Sequence, residues 1–490
     1  MQIPIIKGDK VGADAQWNDS LPQNMYAVLK PVLGADGFMA TFPGIEPAAV
    51  ASDLSGYDRG AVWVSNPAFI GQYRVVGNSL VKLVDDPNES LDLLETLGTV
   101  PGTGQVRLAY SFNNLAIVAD GRLYYYNPTA GFREITDPEV GNPIDIVWGD
   151  NLFILTDGEN IYHSDPLDEE SFLPLDFGTA DFQPDPSLGL GFNEDSELIA
   201  FGTLSVEHLT NVGATNFVFR RIKQKAQKIG IVSTVSKGYY GNIYYMLGTR
   251  ENSQFGVYVT ESGASQKISS IAVDKILSNY QRSELQGAIV EVIELDGVVL
   301  CLIHLPDTVL CFNQSASKQR GIDNSWSVIT SALDTDLETQ LAGRAYNYVH
   351  DKQLNKWYVG DKYTFVIGRL DLDRGDEYNT PKEFIFDTPL IPLETLSIDS
   401  LELRTVPGAG AKFTVYGRNE PEPEFNVFVS RTTDGRIYGR EWSRLASTYN
   451  NYQTRFYINR LGYVPNYIGF RFRGYGKTRM SFCALDVRAS

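Results

Sequence analysis

Two segments of this chain repeat one another: NNLAIVADGRLYYYNP at 113–128 and DNLFILTDGENIYHSDP at 150–166, offset by 37 residues. Each runs from a polar Asn through a short apolar stretch to an Asp-Gly pair. A second apolar stretch follows and ends at Asn-Pro or Asp-Pro. Asp-Gly accepts the positive φ angles of a tight hairpin turn, so each unit predicts two antiparallel strands. A repeat of roughly 20–50 residues marks propellers and solenoids. Looser copies lie at 60–84, 197–209, 241–260, 296–312 and 355–370. In Leu115 to Ala119 and Val298 to Ile303 apolar residues stand consecutively instead of alternating. That is the pattern of strands covered on both faces, as when blade sheets stack against each other.

Composition agrees with an all-β chain. It is rich in tyrosine (27) and phenylalanine (25), poor in methionine (5), and punctuated throughout by 44 glycines and 23 prolines. At 490 residues it exceeds one ordinary core. We read residues 61–379 as a β-propeller-like body of about six or seven blades, with a large sandwich of long strands as the alternative. Residues 1–60 read as an extended amino-terminal docking segment. Prolines 381, 389 and 392 mark a change of texture, after which strands alternate, so residues 380–490 predict a β-sandwich-like domain. One helix interrupts the body: SSIAVDKILSNY (269–280) offers a serine N-cap and apolar Val273, Ile276, Leu277 and Tyr280 on one face.

Cys301, Cys311 and Cys483 form neither a disulfide framework nor a metal spacing, as expected for folding in a reducing cytoplasm. The opening MQIPIIKGDK lacks the basic and apolar regions of a signal peptide, and no run of 18 apolar residues predicts a membrane anchor. The net charge of −18 is unevenly spread. Residues 1–379 carry 27 basic and 49 acidic residues, whereas 380–490 carry 15 and 11. An acidic body argues against tight, general DNA binding. Two basic clusters stand out against it. One spans 431–479, with Arg431, Arg436, Arg440, Arg444, Arg471, Arg473 and Arg479 interleaved with aromatics such as Trp442, a composition suited to a subunit or partner interface. The other is FRRIKQKAQK at 219–228, where Arg220, Arg221, Lys223, Lys225 and Lys228 are candidates for contact with DNA or a neighbouring subunit.

Catalytic sets do not emerge. There is no G-x-S-x-G or H-E-x-x-H, and His304, inside CLIHLP, reads as a core histidine. GYGKT (474–478) lacks the first glycine of a phosphate loop, where Arg471 stands. DLDRGDE (371–377) places Asp376 where a calcium loop needs glycine, and Lys382 where it needs glutamate. SRTTDGRIYGREW (430–442) approaches a sialidase aspartate box, but its glycine, Gly435, comes one residue early, and a hairpin turn at Asp434-Gly435 is the simpler reading. No catalytic residue, cofactor or metal is therefore expected.

Several stretches taken together resemble a known family. They are SLPQNMYAVLKP (20–31), GFMATFPGI (37–45), FGTLSVEHLTNVGAT (201–215), QKIGI (227–231), IAVDKILSNY (271–280), LIHLPDTVL (302–310), TTDGRIYGRE (432–441) and VPNYIGFRFR (464–473). In this order they are similar to the packaged-DNA stabilisation, or tail hub, proteins of short-tailed bacteriophages. The basic run at 220–228 and the loop GRNEPEPE (417–424) have no counterpart in that likeness. The resemblance implies a non-enzymatic virion protein of the tail, assembled in the host cytoplasm. It implies a homo-oligomeric ring, typically of six copies, that extends the channel of the portal and its adaptor. The ring would retain the packaged double-stranded DNA, carry a tail needle and lie beside tailspikes or fibres. An acidic wall would repel DNA over a Debye length of about 8–10 Å, so acidic loops of residues 1–379 are expected to line the lumen. The alternative is a propeller that binds or cleaves glycans.

Overall fold

The computed structural model describes residues 2–3, 5, 20–32, 34–50, 56–85, 91–332, 340–392, 396–405, 424–432, 442–447, 455–464 and 467–489. Seven sheets of four to six strands, antiparallel but for one short pairing in the seventh, are built mainly from the chain between Asp58 and Asp371. Their inner strands are Asp58–Val64, Arg107–Tyr110, Asp145–Gly149, Ser187–Phe192, Lys237–Tyr240, Ile289–Leu295 and Ala345–Asp351. These lie side by side in that order, and the last packs against the first. The body is a closed seven-bladed propeller.

The repeated segments form the middle hairpins of the second and third blades, Leu115–Ala119 with Arg122–Asn127 and Leu152–Thr156 with Ile161–Ser164. Asp120 and Gly121 both adopt positive φ (47° and 73°), closing a two-residue turn. The second copy needs a wider loop, in which Asp157 Oδ1 accepts from the backbone of Glu159 and Asn160. The consecutive apolar strands are buried on both faces because each face meets a different blade. Leu115, Ile117 and Ala119 pack with Tyr73, Val75 and Leu80 of the first blade, and Ala116 and Val118 with Phe153 and Leu155 of the third. Cys301 and Ile303 face the fifth blade while Leu300, Leu302 and Cys311 share a separate cluster with Tyr26 and Phe42. All three cysteines are buried, and none takes part in a disulfide. The predicted helix spans Ile271–Leu277, capped by Ser270, whose side chain accepts from Val273 N, with Val273 and Leu277 buried.

Ring closure uses a strand from far upstream. Gly44–Val50 pairs antiparallel with Val366–Asp371 and supplies an outer strand of the seventh blade. The seam between the seventh and first blades is polar and buried. Arg74, fully inaccessible, donates to Asp58 Oδ2 at 2.6 Å, and Asn347 Nδ2 donates to Asp58 Oδ1 at 2.6 Å. With its amide oriented to satisfy both partners, the Gln72 oxygen accepts from Arg74 Nε at 2.6 Å and Nη2 at 2.8 Å. Glycine is needed at 360, where a Cβ would stand 2.6 Å from Asp58 Cβ.

The carboxy-terminal unit is a two-sheet sandwich. One sheet contains Met25–Val28, Phe38–Thr41, Ser481–Ala489, Leu396–Thr405 and Arg455–Val464; the other contains Phe384–Asp387, Tyr467–Gly476, Glu424–Thr432 and Trp442–Ser447. Between them lie Leu401, Leu403, Leu485, Phe386, Phe470 and Phe472, with Phe386 stacked on Phe472 at 4.9 Å. The first sixty residues therefore give strands to both domains. Gln23 bridges Val328 of the sixth blade and Ile385 of the sandwich. Asn24, in a left-handed conformation (φ 54°), donates to Thr330 Oγ1 and to the Glu383 carbonyl. Arg479 of the sandwich reaches Asp296 Oδ2 (2.6 Å), at the turn of the sixth blade, and the Thr41 carbonyl (2.8 Å).

Removing one member of a buried charge pair leaves the other unpaired, which costs about 3–5 kcal/mol. Arg74→Met is expected to lower the unfolding free energy by that amount in urea titrations, and Arg74→Met with Asp58→Asn by clearly less. Equal losses in the single and double variants, within about 0.5 kcal/mol, would show that the charge pair does not hold the seam.

Candidate partner surfaces and axial pocket

The described basic side chains of 431–479 do not form one face. Strand alternation sends Phe470 and Phe472 into the core, and Arg471 and Arg473 to the other side of the same sheet. There Arg471 makes a two-pronged pair with Asp387 (2.8 Å for both bonds), and Arg473 meets Glu383 at 3.3 Å. Their side chains remain 33% and 41% exposed. Arg431 turns to the end of the other sheet and donates to the Tyr463 carbonyl. Arg479 is committed to the junction between the domains, its side chain only 13% exposed. Trp442 and Arg444 stand opposite Val429 and Val427 in the strand register. Arg436, Arg440 and the Asp434-Gly435 turn lie outside the described residues.

The run 219–228 occupies the outer strand of the fourth blade, Phe219–Arg221, and the turn after it. Arg221 pairs with buried Glu207 at 3.3 Å, and Lys225 with Glu197 at 2.5 Å. Arg220, Lys223 and Lys228 are exposed. Another outer strand, Phe172–Gly178 of the third blade, presents exposed Leu173, Leu175 and Phe177 on alternate positions. Pro174 within it blocks pairing by a further strand, so this edge offers side chains and not a sheet extension. DLDRGDE is tied up internally: Arg374 clasps the Asp376 carboxylate at 2.8 and 2.9 Å.

Two histidines sit in buried ionic settings. His208 Nδ1 lies 2.9 Å from Glu197 Oε2, and burial lowers its pKa against the pull of Glu197. The His304 Nδ1 accepts from Lys362 Nζ at 3.0 Å, which leaves the ring proton on Nε2, 2.9 Å from Glu291 Oε2. Glu291 in turn accepts from the backbone of Asn347 and Tyr348, tying the sixth blade to the seventh. His304 is thus a core histidine with partners, as its setting in CLIHLP predicts.

The inner strands of the first five blades enclose a pocket of roughly 690 Å³. Its walls include Tyr110, Phe112, Trp148, Phe192, Tyr239 and Tyr244. Beneath them Asp145, wholly buried, receives Arg107 Nε (2.8 Å), Lys237 Nζ (2.8 Å) and Leu190 N (2.7 Å). Burial raises the carboxyl pKa of Asp145, but Lys237 and Arg107 overcome it and the net shift is downward. Burial lowers that of Lys237 to about 8. Gly189 makes the arrangement possible, since a Cβ there would stand 2.5 Å from Lys237 Cε. Sequence reading missed this site: Arg107, Asp145 and Lys237 belong to three blades, and none carries a motif.

Burial pushes the His304 pKa down to about 4, with Lys362 adding to the shift. The unfolded ring titrates near about 6.5, so between these values the unfolded chain binds a proton that the folded one refuses. Stability falls as pH drops through this window, by about 3 kcal/mol from this residue. His304→Gln is expected to flatten the dependence of unfolding free energy on pH between 6.5 and 4 by nearly one proton. An unchanged slope would mean that His304 is not held neutral.

Comparison with known proteins gives a match along the whole chain. Residues 1–375 match the family model described as bacteriophage P22 Gp10, beta-propeller, and residues 383–490 that described as bacteriophage P22 Gp10, beta-sandwich. The chain is 28% identical over 511 residues to the tail hub protein gp10 of Salmonella phage P22, covering 99% of each. Among solved structures, the extracellular domain of BT4673 from B. thetaiotaomicron covers 75% of this chain and 44% of its own, at 9% identity and TM-score 0.42. The N-terminal domain of Nup159 covers 71% and 98%, at 10% identity and TM-score 0.41. Likeness at that level carries no functional weight. The chain belongs to the bacteriophage P22 Gp10 family, with a seven-bladed propeller formed by its first part and a β-sandwich by its last.

Proposed function

We propose that this protein is a tail hub of a short-tailed phage, a structural component of the virion tail without catalytic activity. The observation that carries this reading is the end-to-end match with the P22 tail hub protein, 99% of both chains. In the proposed role, copies of the chain form a ring, six being the expected number, below the portal and its adaptor. The ring extends the DNA channel, retains the packaged genome and supports a needle and tailspikes until ejection. The balance of 27 basic to 49 acidic residues over 1–379 suits a lumen that keeps DNA mobile. In this reading Arg471 and Arg473 on the outer sheet face, and exposed Arg220, Lys223 and Lys228 on the fourth blade, meet an acidic subunit or adaptor.

Because Arg473 also pairs with Glu383, its docking role needs a swap to be separated from its internal one. Arg473→Glu is expected to abolish tail assembly on heads, read by electron microscopy and infectivity. Adding Glu383→Arg restores an internal ion pair but should leave assembly defective. Recovery of assembly in the swapped variant would assign Arg473 to the sandwich alone. Particles that assemble tails normally without this protein would overturn the hub reading itself.

A further inference from the structure

We infer that the axial pocket of the propeller binds a protein segment that presents an apolar side chain together with a carboxylate. The charged side chains lining the pocket are Arg107 and Lys237, both cations. The one carboxylate bound to them, Asp145, lies behind the wall with no accessible surface. Two cations against one anion leave a net positive floor inside a chain whose total charge is −18. Asp145 accepts from Arg107 through Nε, and the Arg107 side chain keeps 30% of its surface exposed. A guanidinium in that position presents planar donors suited to a second carboxylate.

The walls specify the rest of the ligand. Trp148 packs edge-on against Phe112, which is 72% exposed at the mouth, and Tyr239, 38% exposed, leans on Tyr244 at 4.6 Å. Exposed aromatics around a concave site are the composition of a protein-binding surface. Exposed carboxylates of Glu194 and Asp195 lie beside Tyr239 and act on it. They place negative charge on the Tyr239 side of a positive floor, which orients a ligand whose charge sits at its tip. A nucleic-acid backbone needs several cations along its path, more than this floor supplies. A neutral sugar would leave the floor charge unanswered. The volume of roughly 690 Å³ is that of a specific ligand site. The proposal rests on the pocket and stands apart from the tail hub reading.

The test uses the full chain and the peptide acetyl-Gly-Phe-Leu-Phe, as the free acid and as the C-terminal amide, in calorimetric titrations and saturation-transfer NMR. The acid is expected to bind at least about tenfold tighter than the amide. Arg107→Gln is expected to remove that preference, and Tyr239→Ala to weaken both forms while the melting temperature stays near that of the native chain. Equal affinity for acid and amide, no binding of either at millimolar concentration, or binding of a neutral maltohexaose in their place would overturn the proposal. Should Arg107→Gln fail to fold, the acid and amide comparison on the native chain decides by itself.

Discussion

The architecture depends on closing a ring. A propeller covers the faces of its first and last blades only if the two meet, and here that contact is made by groups distant in sequence. Gly44–Val50 lies on Val366–Asp371, with Glu46 paired to Arg369 at 2.7 Å across 323 residues. The inner contact between the same blades is the Asp58–Arg74–Asn347 network, sealed from water. Hydrophobic contact alone would permit neighbouring registers; a buried guanidinium with fixed partners permits one. Closure of so long a loop carries a large entropic cost, and the continuous packing of all seven blades depends on its being met.

The segment that closes the ring also fixes the sandwich. Between Ser20 and Phe42 the chain bonds to the sixth blade, then to the sandwich, before it enters the seventh blade. Asn24 serves both domains with one amide, and Arg479 spans the junction from the opposite side. The two domains are therefore joined by backbone hydrogen bonds and buried polar contacts as well as by covalent continuity.

Much of the body is legible because its signals are local. Asp120-Gly121 and Asp296-Gly297 show positive φ at both residues, as their hairpins require. The apolar runs that refuse to alternate are those with a blade on either side. The sandwich is legible from alternation, as in Phe470-Arg471-Phe472-Arg473. In sequence the amino-terminal strands look like a docking segment because MYAV and GIEPAAV are short, and nothing in them names a partner more than 300 residues away. The basic stretch was read as one surface because linear proximity hides alternation and turns. The structure distributes Arg471 and Arg473, Arg431 and Arg479 among an outer sheet face, a sheet end and a domain junction. The axial pocket is invisible in the sequence, since its lining is shared among five blades and each residue looks ordinary in its own strand.

Taken alone, the sequence determined the class of fold, the hairpin as its unit, the helix after the fifth blade, the change to a sandwich and, through an ordered resemblance, the family. These follow from short-range periodicity, turn chemistry and order along the chain. The tertiary structure decided the number of blades, the strand that closes them, the ion pairs that occupy the arginines and the charged floor of the pocket. Each of these depends on which surfaces meet after the ring closes, and the energies involved come from desolvation and pairing between residues that no local pattern connects.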